Sequence, residues 1–371
     1  MVSQAQSASA LDLLQNAAES QAFEHIVLVT ESETLIAGAM ELPAILRGEV
    51  PFHVEAALPG PFHFGRSLSH ICSKLGLERV VYAGGASMPL ATRGHLVDLA
   101  AAVGGDGHCV TSNNLFSADV VAFYPASALE RISLPAADND LAWQLHFKAG
   151  LPYAPVPRSL ASQFDIDTPT DLATLWWSFV EGNAGEGMPG QHLREILSAV
   201  PDELSDLARS IDLACRQMAT RRAQVMLAGR LGSSVWRRLE LNLPCQTRVL
   251  SEERGMRASG REERGEAVSL LGLYCDIAGV AGMLRALEKT CDAAFIDSRV
   301  LFAHMGLKPK ATDRFASDAL LPGEIEEPWV WELTEGVRHA RIPVVLGGHS
   351  LLAGGVWALS ERIRGSASAA R

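Results

Sequence analysis

Two aspartates, two positions apart, are the residues of this chain best placed to do chemistry. Asp165 and Asp167 lie in the stretch Gln163–Leu172 (QFDIDTPTDL). In an extended segment both carboxylates face the same side, so they could hold one or two hard cations such as Mg²⁺. Thr168 can cap the helix that we expect to begin at Pro169. The pattern also fits an Asx-type turn and a helix cap that need no metal, and both interpretations stay open.

A glycine-rich turn near the end of the sequence is a second candidate site. Its residues are Gly347, Gly348, His349 and Ser350. It separates a predicted strand, Ile342–Leu346, from a predicted helix, Leu351–Ile363, so its backbone amides and the helix start could bind an anion. Gly229–Ser234 (GRLGSS) has the same strand–glycine–helix form, and neither turn is a P-loop. Both indicate a ligand cleft at the carboxyl ends of strands.

Four charged residues of the second half could complete such a site. They are Asp297, Arg299, Arg314 and Asp318. Arg299 and Arg314 could bind an anion while His349 carries a proton. Either aspartate could bind a metal. The alternative is that all of them form helix caps and surface ion pairs.

The aspartate stretch resembles a known family. Asp-Ile-Asp-Thr-Pro-x-Asp-Leu, at 165–172, resembles the closing motif of nucleotidyltransferases related to molybdenum-cofactor guanylyltransferase, and most of all their 2-phospholactate guanylyltransferase branch. The resemblance covers roughly residues 22–180. It implies a Rossmann-like sheet, Mg²⁺ as cofactor, and transfer of a nucleotidyl group from an NTP to a small phosphorylated or hydroxylated acceptor. In that branch the paired aspartates bind the metal, which implies Asp165 and Asp167 here.

A second stretch resembles the same family with substitutions. Tyr82–Thr92 is similar to the family's central strand and Gly-x-Asp-x-Pro-Leu turn, with Gly84 and Gly85 in the turn. Ser87 stands where the family has a metal-binding Asp, and the acidic Glu31–Thr34 stands in place of its glycine-rich phosphate loop. Two alternatives follow. The protein could be a catalytically degenerate nucleotide- or metabolite-binding protein, or an enzyme whose chemistry lies in the second domain.

Two more polar residues of the first half could contact a nucleotide. Asn113 belongs to the run Thr111–Asn114, before a predicted strand, and could contact a base or ribose. A plain turn also explains this run. Arg158 precedes the aspartate stretch and could bridge to a phosphate.

Alternating strand and helix patterns predict an α/β fold with mostly parallel strands. The predicted strands are His25–Thr30, Arg79–Ala83, Asp119–Tyr124, Val225–Ala228, Thr247–Leu250, Val268–Leu273, Ala293–Ile296 and Ile342–Leu346. We expect a leader at 1–21, a Rossmann-like nucleotidyltransferase-type domain at 22–182, a linker and helical connector at 183–222, and a second Rossmann-like α/β domain at 223–371. The charged run Ser251–Glu266 reads as a mobile active-site loop or as a solvated one.

Composition narrows the choice of partners. The chain has 371 residues and a net charge of -11, which argues against nucleic acid and anionic membranes as partners. No apolar run approaches the roughly 20 residues that span a bilayer. Six cysteines without a CxxC pair indicate reduced thiols and a cytoplasmic protein. The expected partners are an NTP and a small-molecule acceptor, and the sequence leaves a homo-oligomer open.

Overall fold

The computed structural model describes residues 1–180, 187–257 and 259–369. The chain divides into two compact units. The N-terminal unit is Gln6–Gln163 with Pro189–Leu193, and the C-terminal unit is Phe164–Met188 and Arg194–Arg371 with Met1–Ala5. The aspartate stretch therefore belongs mostly to the C-terminal unit. The predicted domain boundary at 182 and the start of the predicted linker at 183 fall on residues 181–186, which lie outside the described residues.

Helices make up much of both units. In chain order they are α1 (Val2–Ser20), α2 (Glu33–Met40), α3 (Pro43–Leu46), α4 (Phe64–Leu75), α5 (Arg93–Ala102), α6 (Leu141–Phe147), α7 (Leu160–Gln163), α8 (Pro169–Leu175), α9 (Gln191–Leu197), α10 (Val200–Glu203), α11 (Ser205–Met218), α12 (Ser233–Asn242), α13 (Leu270–Thr290), α14 (Ser298–His304), α15 (Ala311–Asp318), α16 (Pro328–Arg338) and α17 (Gly354–Ala369). Thr92 and Thr168 accept hydrogen bonds from the first turns of α5 and α8. These caps fix where the two helices begin.

The N-terminal unit holds a two-stranded and a four-stranded sheet. Its strands are β1 (Ile26–Val29), β2 (Phe52–Glu55), β3 (Val80–Ala83), β4 (Cys109–Ser112), β5 (Val120–Tyr124) and β6 (Tyr153–Pro155). β1 and β2 are parallel, with Ile26 opposite Phe52. The larger sheet has the order β3–β5–β4–β6, and its core includes the fully buried Val121 and Phe123 of β5.

The expectation of mostly parallel strands is wrong for this larger sheet. β5 runs antiparallel to both β3 and β4, and only β4 and β6 are parallel. The segment between Ser112 and Val120 is too short for a helical crossover, which a parallel connection between neighbouring strands requires. The unit is thus α/β with a mixed sheet.

The C-terminal unit contains one four-stranded sheet, and here every pair of strands is parallel. Its strands are β7 (Gln224–Gly229), β8 (Gln246–Ser251), β9 (Ala293–Asp297) and β10 (Val344–Gly347). All residues of β9 and β10 are buried, as in a sheet covered by helices on both faces. In the sheet order β10–β9–β7–β8, β8 lies on one side of β7 and the later strands β9 and β10 lie on the other. The order in which strands are added therefore reverses between β7 and β9. In parallel sheets such a reversal marks a ligand crevice at the strands' carboxyl ends.

The predicted strand at Val268–Leu273 is wrong, because this run opens α13. Ser269 caps the helix by accepting a hydrogen bond from the amide of Gly272. A short apolar run fits a strand and a buried helix equally well, and here the cap decides. Further along, Met283 and Leu287 of α13 pack into the core with Leu333 of α16 and Ile296 of β9.

Among the described residues, α13 alone is long and apolar enough to cross a bilayer by length and composition. This finding corrects the expectation that no such run exists. The helix breaks at Gly279, where φ is 68° and ψ is 173°. A helix of a protein core passes the same test of length and composition, so the test by itself is weak evidence for a membrane span.

Candidate functional site

The carboxyl ends of β7, β9 and β10 form the best candidate site. Gly229, Asp297 and Gly347 are the last residues of these strands and lie along one edge of the parallel sheet. Gly229 has φ of 127°, and a Cβ atom there would lie 2.4 Å from the Cβ atom of Asp297. The position needs glycine both for its backbone conformation and for this close approach. The tight turn after β7 brings Arg230 onto Asp297.

Asp297 is a fully buried carboxylate held by an arginine. Arg230 donates from Nε to Oδ2 at 2.6 Å and from Nη2 to Oδ1 at 3.1 Å. Oδ1 also accepts the amide of Arg299 and so caps α14. Burial opposes the negative charge, but the charge and hydrogen bonds of Arg230 outweigh it, and the pKa of Asp297 lies below its ordinary value. Asp297 is therefore ionised and serves as a scaffold for Arg230.

A second buried ion pair lies beside the first. Arg299 donates from Nη1 to Oδ1 of Asp318 at 2.7 Å and from Nη2 to Oδ2 at 2.6 Å. Nη1 also donates to the hydroxyl of Ser298 at 2.9 Å. Burial disfavours the charge of Arg299, yet Asp318 outweighs that effect and raises the pKa of the guanidinium. The pair is fork-to-fork, which fixes both side chains in orientation as well as position.

Two other arginines at this edge lack an acidic partner. Nε of Arg314 is buried without a hydrogen-bond partner, and within the described part of the chain neither Arg314 nor Arg254 forms an ion pair. Burial, together with the charges of Arg299 and Arg257, lowers the pKa of Arg314. Nη2 of Arg254 lies 3.9 Å from where a Cβ atom of Gly232 would stand, at the start of α12. Both guanidinium groups keep hydrogen-bond donors that the protein does not use.

His349 lies close to Arg230 and Arg254 and is itself uncharged. Its ring makes no hydrogen bond to any described residue. Burial comes first in lowering the pKa of His349 to about 4, and the charges of Arg230 and Arg254 lower it further. The imidazole is therefore neutral near pH 7 and can both donate and accept one hydrogen bond.

The structure brings together two motifs that the sequence places in different halves. The amide of Asp165 donates to the hydroxyl of Ser350 at 3.3 Å, and that hydroxyl donates to the carbonyl oxygen of Asp165 at 2.8 Å. Thr170 donates from its hydroxyl to the carbonyl oxygen of Leu346 at 2.6 Å. Both predicted sites, the aspartate stretch and the Gly347–Ser350 turn, thus lie at the carboxyl edge of one sheet. Asp165 is half-buried there and Asp167 is exposed.

Asp171 is a functional candidate that the sequence analysis missed. Its Oδ2 atom accepts the amides of Asp167 and Thr168, at 3.0 and 2.8 Å, and the hydroxyl of Thr168 at 2.9 Å. Its Oδ1 atom is buried and has no partner among the described residues. Burial, followed by the charge of Asp167, raises the pKa of Asp171 to about 8. The Thr-x-x-Asp spacing signalled the cap, but nothing in it signalled a protonated carboxyl.

The predicted residues of the N-terminal unit have structural partners. The hydroxyl of Ser87 donates to the carbonyl oxygen of Gly84 at 2.7 Å and is 3.4 Å from that of Asp119. Asn113 accepts the amide of Asp119 at 3.2 Å. Ser87 and Asn113 therefore meet at Asp119, where they hold the start of β5. Gly85 lies in the turn after β3, and Arg158 is exposed between β6 and α7.

The side chains do not fit a magnesium centre built by the protein alone. Across residues 1–180, 187–257 and 259–369, no three His, Cys, Asp or Glu side chains are grouped so as to hold a metal ion. Asp297 and Asp318, considered as ligands, give their carboxylates to Arg230 and Arg299 instead. Ser87 directs its hydroxyl to backbone carbonyls. The chemistry of the edge follows from its arginines and its histidine.

Together these features make an anion-binding edge with an uncharged proton carrier. α12 begins at Gly232 without a side-chain cap, and the positive end of its helix dipole lies at this edge. Arg254 lies at that same helix start. Comparison of the chain with protein-family models, with curated proteins and with solved structures gives no match.

Proposed function

We propose that the carboxyl edge of the parallel sheet binds a small phosphorylated metabolite. The observation that carries this proposal is a difference among four arginines, two of which form ion pairs with buried aspartates and two of which do not. Arg230 and Arg299 are neutralised by buried aspartates, whereas Arg254 and Arg314 present unpaired guanidinium groups. The unpartnered Nε of Arg314 is buried, which is costly, whereas Arg254 is exposed. An anionic ligand would supply acceptors to both guanidinium groups.

The chemistry of the site favours phosphate over a simple carboxylate. Guanidinium groups bind phosphate oxygens through two parallel hydrogen bonds, and the positive end of the α12 dipole lies beside Arg254. The neutral His349 can donate to a phosphate oxygen or accept a proton from a ligand hydroxyl. The enzyme class that this arrangement suits is transfer or hydrolysis at a phosphorylated centre, with His349 moving the proton.

Nucleotidyl transfer from an NTP to a small phosphorylated or hydroxylated acceptor is the second candidate. It is favoured by the bonding of Asp165 to Ser350, which holds the aspartate stretch beside the proposed phosphate site. Under this proposal the phosphorylated metabolite is the nucleotide itself. The two candidates differ in whether Mg²⁺ and Asp167 are needed for binding.

Ligand-induced thermal shift and calorimetry test the first candidate. The ligands are pyrophosphate and each of ATP, GTP, CTP and UTP, with and without Mg²⁺. We expect at least one to stabilise the protein, and Arg254→Gln or Arg314→Gln to weaken its binding about tenfold because a charge-assisted hydrogen bond is lost. Arg209→Gln is the matched control, because Arg209 is an exposed arginine of α11 without an ion pair among the described residues.

Three results would decide between the candidates. No shift with any ligand, or equal binding by wild type and both arginine variants, contradicts the phosphate site. Binding that needs Mg²⁺ and is lost in Asp167→Ala, together with release of pyrophosphate, supports nucleotidyl transfer. Binding that is independent of Mg²⁺ and unchanged in Asp167→Ala supports a metabolite site without that transfer.

A further inference from the structure

A cavity in the N-terminal unit has a different character from the arginine-rich edge. It encloses about 340 Å³, within the range of small-molecule sites. One wall is the face of α5 that carries His95, Asp98, Leu99 and Ala102 at helical spacing. The opposite wall is formed by β4 and by residues 154–157, which are the last two residues of β6 and the two that follow it.

The lining of this cavity is apolar apart from a few groups. Val110 and Leu99 are buried aliphatic side chains, and Pro155 and Pro157 form part of the rim. One carboxylate, that of Asp98, lines the cavity, and its lining includes no lysine or arginine. A ligand would therefore meet apolar walls and one negative charge.

Several polar atoms of the lining are already used by the protein. The hydroxyl of Ser162 donates to the carbonyl oxygen of Pro157 at 3.1 Å, and the thiol of Cys109 donates to that of Ala102 at 3.4 Å. His95 uses Nδ1 in the cap of α5, 3.1 Å from the amide of Thr92. Asp98, in contrast, makes no hydrogen bond or ion pair with the described residues. Its carboxylate remains available to a ligand.

We propose that this cavity binds a small organic amine with an apolar body. The apolar walls bury the body, and the carboxylate of Asp98 pairs with the ammonium group at the cavity wall. The same carboxylate, with no lysine or arginine in the lining, repels phosphate and carboxylate ligands. The two units thus bind ligands of opposite charge, and this proposal is independent of the phosphate site.

Cys109 provides a direct reporter of occupancy. It lines the cavity and is half-buried, whereas the other five cysteines are buried. A bound ligand would shield the thiol of Cys109 from alkylation by a maleimide. The probes are tryptamine and indole-3-propionate, which share a ring and a two-carbon chain but carry opposite charges.

The experiment follows alkylation of Cys109 by mass spectrometry in the full chain at millimolar probe. We expect tryptamine to slow alkylation and to bind by calorimetry, and indole-3-propionate to do neither. Asp98→Asn should weaken tryptamine about tenfold through loss of the charged hydrogen bond. Ala102→Trp should abolish binding by filling the cavity from an exposed position on α5. Glu130→Gln, an exposed acid outside the cavity, is the matched control.

Several outcomes would overturn the amine site. These are equal protection by both probes, no protection by either, or tryptamine binding that Asp98→Asn and Ala102→Trp leave unchanged. Protection that Ala102→Trp removes and Asp98→Asn does not would show an apolar site that ignores charge, which also contradicts the proposal. None of these results bears on binding of phosphate ligands, so failure here is distinguishable from failure of the proposed function.

Discussion

The carboxyl edge of the parallel sheet and the cavity beside α5 select ligands by different physical means. At the edge, buried aspartates such as Asp297 and Asp318 hold arginines in fixed positions, and further arginines remain unpaired. In the cavity, aliphatic walls surround a single acidic side chain, Asp98. At the edge, buried ion pairs fix the charged groups, whereas in the cavity one exposed carboxylate stands among packed apolar walls. Substitutions at the edge should therefore lower the free energy of unfolding more than substitutions beside the cavity.

The largest effect is expected when the buried network is broken. Arg299→Ala leaves Asp318 as an uncompensated buried charge, and we expect it to lower the free energy of unfolding of the C-terminal unit by about 3–5 kcal/mol. Urea denaturation measures this. The double variant Arg299→Met/Asp318→Leu removes both charges and should recover most of the loss.

Arg314→Ala is the control for that experiment, because Arg314 has no acidic partner among the described residues. We expect it to change stability little or to increase it. A loss as large as that of Arg299→Ala would show that Arg314 belongs to the scaffold and is not held for a ligand. The distinction between scaffold and ligand-binding arginines would then be wrong.

A smaller effect, about 1 kcal/mol per pH unit, is expected from Asp171. Its pKa rises from 3.8 to about 8 in the folded protein. Between these values the folded state keeps a proton that the unfolded chain releases, so this stabilisation is full at low pH and is lost as pH rises toward 8. We expect Asp171→Asn to flatten the fall in unfolding free energy between about pH 6.5 and 8, as measured by urea denaturation across that range.

His349 acts in the opposite direction and sets the lower limit of that window. Its pKa falls from 6.5 to about 4 on folding, so its contribution to stability grows as pH rises from 4 to 6.5. The two groups offset each other there, and only Asp171 acts above pH 6.5. A wild-type stability that keeps rising from pH 6.5 to 8, unchanged by Asp171→Asn, would contradict the assignment of a protonated Asp171.

The smallest effect is expected beside the cavity, where no buried ion pair is at stake. Thr92→Ala removes the capping box of α5, whose face lines the cavity, and should cost about 1 kcal/mol of unfolding free energy. Thr92→Ser keeps the hydroxyl and should restore most of it. A loss above about 3 kcal/mol would mean that α5 depends on its cap as strongly as the edge depends on its ion pairs.

The sequence predicted the α/β class and most strand positions, but it did not predict the direction in which every strand pairs with its neighbour. Alternating apolar runs identified β1, β3, β5, β7, β8, β9 and β10. It could not show that β5 runs antiparallel, because strand direction depends on connections and packing beyond the run itself. It also placed a strand at Val268–Leu273, since a short apolar run carries no period that separates strand from helix.

The candidate site was predicted in pieces. The glycine turn at Gly347 and the charged residues Arg299 and Asp318 were singled out from local patterns, because turns and charged residues leave local signals. The pairing of Arg299 with Asp318 was not predicted. That Asp165 bonds to Ser350 is a contact across 185 positions, and a single sequence carries no signal for it. Arg254 was hidden within a charged loop, since an unpaired arginine is recognisable only when its neighbours in space are known.

The bond between Thr170 and Leu346 has a consequence for how the chain is made. These residues are 176 positions apart, so at about 5–20 residues per second α8 is synthesised about 9 to 35 s before β10. All seven residues of α8 are buried in the finished unit, several of them apolar. During that interval α8 lacks the strand it packs beside, and the nascent chain exposes a surface prone to aggregation. The last strand to be synthesised thus decides when the middle of the chain can be buried.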